Sequence, residues 1–282
     1  LFILASAYGY CVANNCTLLL DTKTGFLRDS RYRRKYSLDP LSLPFPKIDL
    51  CTNSSFINKF LLSVARLQDP LQSFTRISYR RQLSLDFDHN FLAVSPTSLT
   101  VLDGYWQSES YFHHCSSAIR SLLTAAPYSN SLLTCDLYAS ILKSNCPVSL
   151  HFRPFSAQYY SRFREYFLFY YSSAIQQILQ ISSSPKLYIF SSSPLPDCLL
   201  SVLSKFNTSI IYPDKYPEIS DLDNLRLMSL CHHHINACST FSWWSSWLSS
   251  YPHKKIFCPS VSSSGEGQWS FPGLIPDSWT VI

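Results

Sequence analysis

The stretch CHHHINACSTFSWWSSWL, Cys231 to Leu248, gathers three histidines, two cysteines and a Ser/Thr cluster beside three tryptophans. Those side chains could ligate a metal, seat an anion or simply pack. Metal ligation fails on spacing. Consecutive residues on a helix point about 100° apart, so three adjacent histidines cannot converge on one ion. Cys231 and His234 could share a face, but H-x-x-x-H is absent and no carboxylate follows at ligand distance. Ser239, Thr240 and Ser242 suit anion chemistry better. They follow an apolar, strand-like run and open a helical one. Ser and Thr cap helix N-termini, where unpaired N–H groups and a dipole of about half a positive charge favour a phosphate. A plain cap over a tryptophan-rich core fits the same spacing.

A second pair lies in LHFRP. Arg153 sits just beyond an apolar run of strand length, and His151, two residues earlier, shares its strand face. An arginine grips phosphate oxygens in a two-pronged fork, and a charged hydrogen bond is worth about 1.5–3 kcal/mol. A surface arginine beside a hydrogen-bonded core histidine is the alternative.

Other chemistries find no support. There is no G-x-S-x-G, Walker loop or G-x-G-x-x-G, and six glycines leave little from which to build phosphate-cradling loops. GEGQW (265–269) reads as a turn. The ten cysteines contain no C-x-x-C pair and are expected to be small buried hydrophobes of a reducing compartment. A net charge of +5 with one short basic run, RDSRYRRK (Arg28 to Lys35), is not the footprint of a nucleic-acid binder. The run reads as a solvated loop. Apolar residues are 46% of the chain, enough for a core. The opening LFILASAYGYCV is too short to span a bilayer and lacks the basic leader of a signal peptide. It is expected to be a buried first helix, in a chain cut from a longer one because no Met begins it.

The elements that must position these residues alternate. VSLHF (148–152), KLYIF (186–190), SIIY (209–212), HINAC (234–238) and KKIFC (254–258) read as strands. Between them, 158–181, 198–206, 221–231 and 242–249 read as helices. This predicts a parallel sheet covered on both faces. The first half is looser: a helix over 2–14, a strand over 17–21, a proline loop at 40–46, a helix over 54–67, a strand over 99–106 and a helix over 109–125. The reading is α/β in two domains, 1–145 and 146–282, with ligands beyond the carboxyl ends of the strands.

Taken together, these stretches resemble the α-1,2-fucosyltransferases of glycosyltransferase family eleven. LMSLCHHHINACSTFSWWSSWL resembles the family's L-M-x-x-C-x-H-x-I-x-A-N-S-T-[FY]-S-W-W-x-A-x-L, and LDGYWQSESYF (102–112) its G-Y-[FW]-Q-x-x-x-Y-F. PVSLHFR falls where the family has a strand ending H-x-R-R-x-D, KLYIFSSS where it has F-S-D-D, and IPDSWTVI matches its close. The resemblance implies a GT-B architecture, two facing Rossmann-like domains with a cleft between them, GDP-fucose as donor, inversion at the sugar carbon and no metal or other cofactor. It puts His151, Arg153, His233, Ser239, Thr240 and Ser242 on the donor side and Tyr105, Trp106 and Gln107 on the acceptor side. It nominates no catalytic base. The implied partners are a nucleotide sugar and a glycan acceptor, with no nucleic acid, in a cytoplasmic protein peripheral to the inner membrane. Departures stand at Pro154, Ser156, Ser192, Ser193 and Cys238, which replace the second Arg, an Asp, the acidic pair and an Asn; the Gly-Asn-Gln segment expected before Leu1 is not in this chain. They leave open a catalytically degenerate binding protein of the same fold and a transferase with another nucleotide-sugar donor.

Overall fold

The computed structural model describes residues 1–23, 26, 35–49, 77–153, 162–191, 193–211, 216, 218–260, 269 and 271–282. The helix expected over 54–67, the basic run from Arg28 to Arg34, GEGQ at 265–268 and the departures Pro154, Ser156 and Ser192 lie outside these residues. The chain divides into two compact units: Leu1–Pro127 with Pro272–Leu274, and Tyr128–Phe271 with Ile275–Ile282.

The first unit opens with α1 (Phe2–Asn14), which buries Phe2, Leu4, Ala5 and Tyr10. Gly9 is required there, because a Cβ would stand 2.3 Å from the Tyr111 carbonyl oxygen. The helix thus packs its backbone directly against the 3-10 turn Glu109–Tyr111. Strands β1 (Leu20–Asp21) and β2 (Lys47–Ile48) pair in parallel, as do β3 (Ile77–Arg81) and β4 (Leu99–Asp103). The helix predicted over 109–125 is broken. Two 3-10 turns, Glu109–Tyr111 and His113–Cys115, precede α2 (Ser116–Thr124). Phe112, at φ −138°, leaves the helical region so that its side chain can be fully buried.

The second unit starts earlier than the 145/146 boundary read from the sequence. Two helices that the sequence reading passed over, α3 (Asn130–Thr134) and α4 (Asp136–Lys143), belong to it. Leu132, Leu137 and Ile141 pack in one cluster with Tyr188, Phe190 and Met228. There follow β5 (Pro147–Phe152), α5 (Arg164–Ile181), β6 (Lys186–Ser191), α6 (Asp197–Leu203), β7 (Asn207–Ile211), α7 (Asp221–Ser229), β8 (His233–Ile235), α8 (Thr240–Leu248), β9 (Ile256–Cys258) and β10 (Thr280–Val281). The six strands form one all-parallel sheet in the order β10-β9-β8-β5-β6-β7. Every residue of β5 is buried, as a strand covered on both faces requires. From β5 the chain moves outward through β6 and β7, then returns to place β8 on the other side of β5. The strand order therefore reverses between β5 and β8. This is the α/β architecture expected.

Candidate functional site

Where strand order reverses, the two following loops run in opposite directions and leave a crevice outside the carboxyl ends. In this sheet the loops after β5 and β8 flank that point. The first carries His151, near the end of β5, and Arg153, exposed just past it. The second runs through Asn236 to Ser239 into α8.

The helices fasten both loops. Tyr171 of α5 donates its hydroxyl to the His151 carbonyl at 2.9 Å, and the Tyr170 hydroxyl sits 2.6 Å from the Asn236 carbonyl and 2.9 Å from that of Phe257. Asn236, fully buried, accepts from Ser246 Oγ at 2.7 Å and donates to Cys258 Sγ at 3.5 Å. This explains why β8 stops at Ile235 rather than at Cys238: the Asn236 side chain ties the turn to α8 and β9.

Ser239 is the N-cap of α8. Its backbone is extended, at φ −150° and ψ 129°, and its Oγ accepts from Phe241 N at 3.3 Å. The rest of the first turn keeps the N–H groups that every helix leaves without intrahelical partners. Thr240, half-buried, is the first helical residue. Ser242 is fully buried and turns its hydroxyl onto the carbonyls of Ser239, at 3.1 Å, and Ala237, at 3.4 Å. The cap reading therefore holds for Ser239, and Ser242 serves the turn's own backbone. Trp243, Trp244 and Trp247 are all buried, as the packing of this helix demands.

The two loops meet at His151, whose ring centroid is 5.9 Å from that of Phe241. His151 is 6% exposed. Burial, then the charge of Arg153, lowers its pKa to about 3, so the imidazole is neutral at ordinary pH. Among the described residues its Nδ1 is buried without a hydrogen-bond partner. A buried Oγ likewise without a partner belongs to Ser193, just beyond β6, where Ser191 Oγ donates to the Ser193 carbonyl at 2.6 Å. Ser193 gave no positive signal in the sequence beyond standing where an acidic residue was expected. Cys238 is buried, and burial raises its thiol so that it stays protonated.

His233 is not brought to this edge. It begins β8 and pairs in register with Val148, at the amino end of β5, while His151 lies near the carboxyl end. Its Nδ1 accepts from Lys255 N at 3.0 Å and its ring meets Tyr251 edge-on. Of its neighbours, His232 stacks on Tyr251 at 4.0 Å, and His234 Nδ1 lies 2.8 Å from Ser149 Oγ while its buried Nε2 has no hydrogen-bond partner among the described residues. His232 lies in the turn before β8, and His233 and His234 lie on β8, which starts one residue before the strand read from the sequence. Among the described residues no group of three His, Cys, Asp or Glu could hold a metal ion.

In the first unit, Trp106 is core. It is 2% exposed, tilted against Phe91 and edge-on to Tyr111, and held at φ 49° by the Gln82 amide, whose Oε1 accepts from Tyr105 N and Trp106 N. In the same GYWQ segment Tyr105 is 43% exposed and Gly104 and Gln107 are half-buried.

A buried ionic network was also missed. Asp223 Oδ2 accepts from Ser129 Oγ at 3.0 Å and Ser220 Oγ at 2.7 Å, and Oδ1 lies 3.9 Å from Arg226. This joins the caps of α3 and α7. The signal was present as Ser220-x-x-Asp223, a capping box.

No family profile matches the chain. The curated alpha-1,2-colitosyltransferase of Escherichia coli is 22% identical over 296 residues, which span 100% of this chain and 94% of that protein. A mutant of Arabidopsis thaliana FUT1 in complex with GDP superposes with a TM-score of 0.53 at 12% identity, covering 95% of this chain and 68% of that one. The fucosyltransferase NodZ from Bradyrhizobium gives 0.44 at 16% identity, over 91% and 89%. The fold is the GT-B fold of fucosyltransferases, as expected. Among the described residues no helix is long and apolar enough to cross a membrane.

Proposed function

We propose that this fucosyltransferase-like chain is an inverting glycosyltransferase that moves a deoxy sugar from a guanosine diphosphate donor, GDP-fucose first, to a galactoside-like hydroxyl. The observation that carries the reading is the reversal of strand order between β5 and β8, with Arg153 after one strand and the N-terminus of α8 after the other. As the glycosidic bond breaks, negative charge grows on the diphosphate. A guanidinium and helix N–H groups held in place before the reaction stabilise that charge without reorganising. His151, neutral and with a buried nitrogen unpaired, would give or take a hydrogen bond there and recover the cost of about 1–3 kcal/mol that an unmet buried polar group carries. Ser239 and Thr240 line the same edge. Tyr105 and Gln107 are assigned to the acceptor side. The reading places the protein in the cytoplasm, against the inner membrane, in surface-glycan synthesis.

The donor sugar has a second candidate. The relative matching the whole chain is named for colitose, which is fucose without its 3-hydroxyl. Ser193 stands where an acidic residue was expected to contact the donor, and a shorter hydroxyl in place of a carboxylate suits a sugar with one polar group fewer.

Thermal shifts with GDP, GDP-fucose, GDP-colitose, UDP and UDP-sugars test the class. A ligand at about 100 times its Kd should add about 2.7 kcal/mol of stability. Guanine nucleotides should stabilise and uridine nucleotides should not; silence toward all guanine nucleotides would sink the proposal. Titration calorimetry should show Arg153→Ala weakening GDP by about ten- to hundredfold, the worth of one charged hydrogen bond. Cys231→Ala should bind as the wild type does. Donor hydrolysis separates a transferase from a degenerate binding protein.

A further inference from the structure

Of the nine described cysteines, Cys115, Cys146, Cys231, Cys238 and Cys258 are buried free thiols, and Cys11, Cys16, Cys135 and Cys198 are half-buried. Cys11 and Cys16 stand out as a pair. Both are half-buried, and both sit on the C-terminal cap of α1. Asn15 is left-handed there, at φ 50° and ψ 48°, and Cys16 N donates to the Cys11 carbonyl at 3.0 Å. That six-to-one bond marks a Schellman cap, with Cys11 three positions inside it and Cys16 just past it. These are the two positions whose side chains such a cap brings into contact, usually as an apolar pair. Here both are thiols, and Cys16 is near enough to raise the pKa of Cys11.

We propose that Cys11 and Cys16 form a reversible disulfide across this cap, a thiol modification site independent of the glycosyltransferase reading. Standard bond lengths, added to the 3.0 Å hydrogen bond, hold the two Cα atoms within about 7 Å, the outer limit for a disulfide. The cap is also fixed from outside. Asn14 Nδ2 donates to the carbonyls of Tyr10 and Leu92, both at 3.1 Å, and the Tyr10 hydroxyl to that of Val94 at 2.8 Å. The backbone already holds the thiols together, so closing the bond requires little further ordering. The ring it closes is short, so it adds little stability and reverses readily.

With oxidised glutathione the chemistry balances. The Cys16 thiolate attacks one sulfur of the glutathione disulfide and expels a glutathione thiolate. The Cys11 thiolate then attacks the Cys16 sulfur and expels the second. The two thiol protons end on the two glutathiones, so the protein is oxidised by two electrons and the disulfide reduced by two. Burial, then the contact with Cys16, raises the Cys11 thiol; the exchange balances equally with either cysteine attacking first.

The test treats the full chain with oxidised glutathione, then applies intact mass and non-reducing peptide mapping. The expected product has lost two hydrogens, joins Cys11 to Cys16 and reverts with dithiothreitol. Cys11→Ser and Cys16→Ser should each keep one glutathione on the remaining thiol. Separate adducts on Cys11 and Cys16 in the wild type, no reaction at either, or a crosslink between other cysteines would each overturn the proposal. The wild-type map decides even if a variant folds poorly.

Discussion

His151 is a buried ring near the end of β5 that the proposed function also puts at the donor. Its Nδ1, buried without a hydrogen-bond partner among the described residues, is poor packing, and under the proposed function it would meet an anion beside Arg153 and the α8 N-terminus. Its burial also makes a stability prediction. The folded pKa of about 3 lies below the unfolded value of about 6.5. The unfolded chain therefore takes up the proton first as pH falls. The stability held by the neutral ring is complete above about 6.5 and is lost as pH falls toward 3, at up to about 1.4 kcal/mol per pH unit. His233, lowered to about 4 by burial, then by His232 and Lys255, adds in the same direction. The urea midpoint should fall between about pH 7 and pH 5, and fall less steeply in His151→Gln. A midpoint unchanged by the substitution at both pH values would contradict the burial assigned to this ring.

At the scale of the element, α8 is held at both ends. Ser239 caps its start, and Lys254 Nζ donates to the carbonyls of Ser249 at 2.6 Å and Ser246 at 3.1 Å near its end, where a cation favours the dipole. Ser239→Ala should cost about 1 kcal/mol, and Lys254→Ala about 1–2 kcal/mol by the same reasoning for a charged hydrogen bond. Nine residues of helix set the two sites about 13 Å apart, so the double variant should lose the sum of the two in urea melts. A clearly non-additive result would mean that the helix ends communicate through the tryptophan core. Ser220, Asp223 and Ser129 make the corresponding device for α3 and α7, written in the sequence as a capping box but recognisable as a junction only once α3 is folded against it.

For the whole molecule, the division into two compact units leads to a calorimetric expectation. Heating should resolve two transitions, and saturating GDP should raise the one that belongs to Tyr128–Phe271, where the sheet lies. A GDP shift confined to the other transition would remove the donor site from the second unit. The second half of the sequence was legible because parallel strands buried on both faces are continuous apolar runs, and the helices between them carry their own periodicity. The order of those strands was not, since it depends on which runs pair across loops; the crevice between β5 and β8 follows from that order alone. The same limit governed the site. Residue types and local spacing raised Arg153 and Ser239 as candidate anion ligands, beside the plainer readings of a surface arginine and a helix cap, and argued against the adjacent histidines as a metal site. Only the tertiary structure separated His151 from His233 and turned Trp106 inward and Tyr105 out. It alone set two cysteines side by side on a helix cap. Burial and contact are properties of the packed chain, and local sequence carries only the tendency toward them.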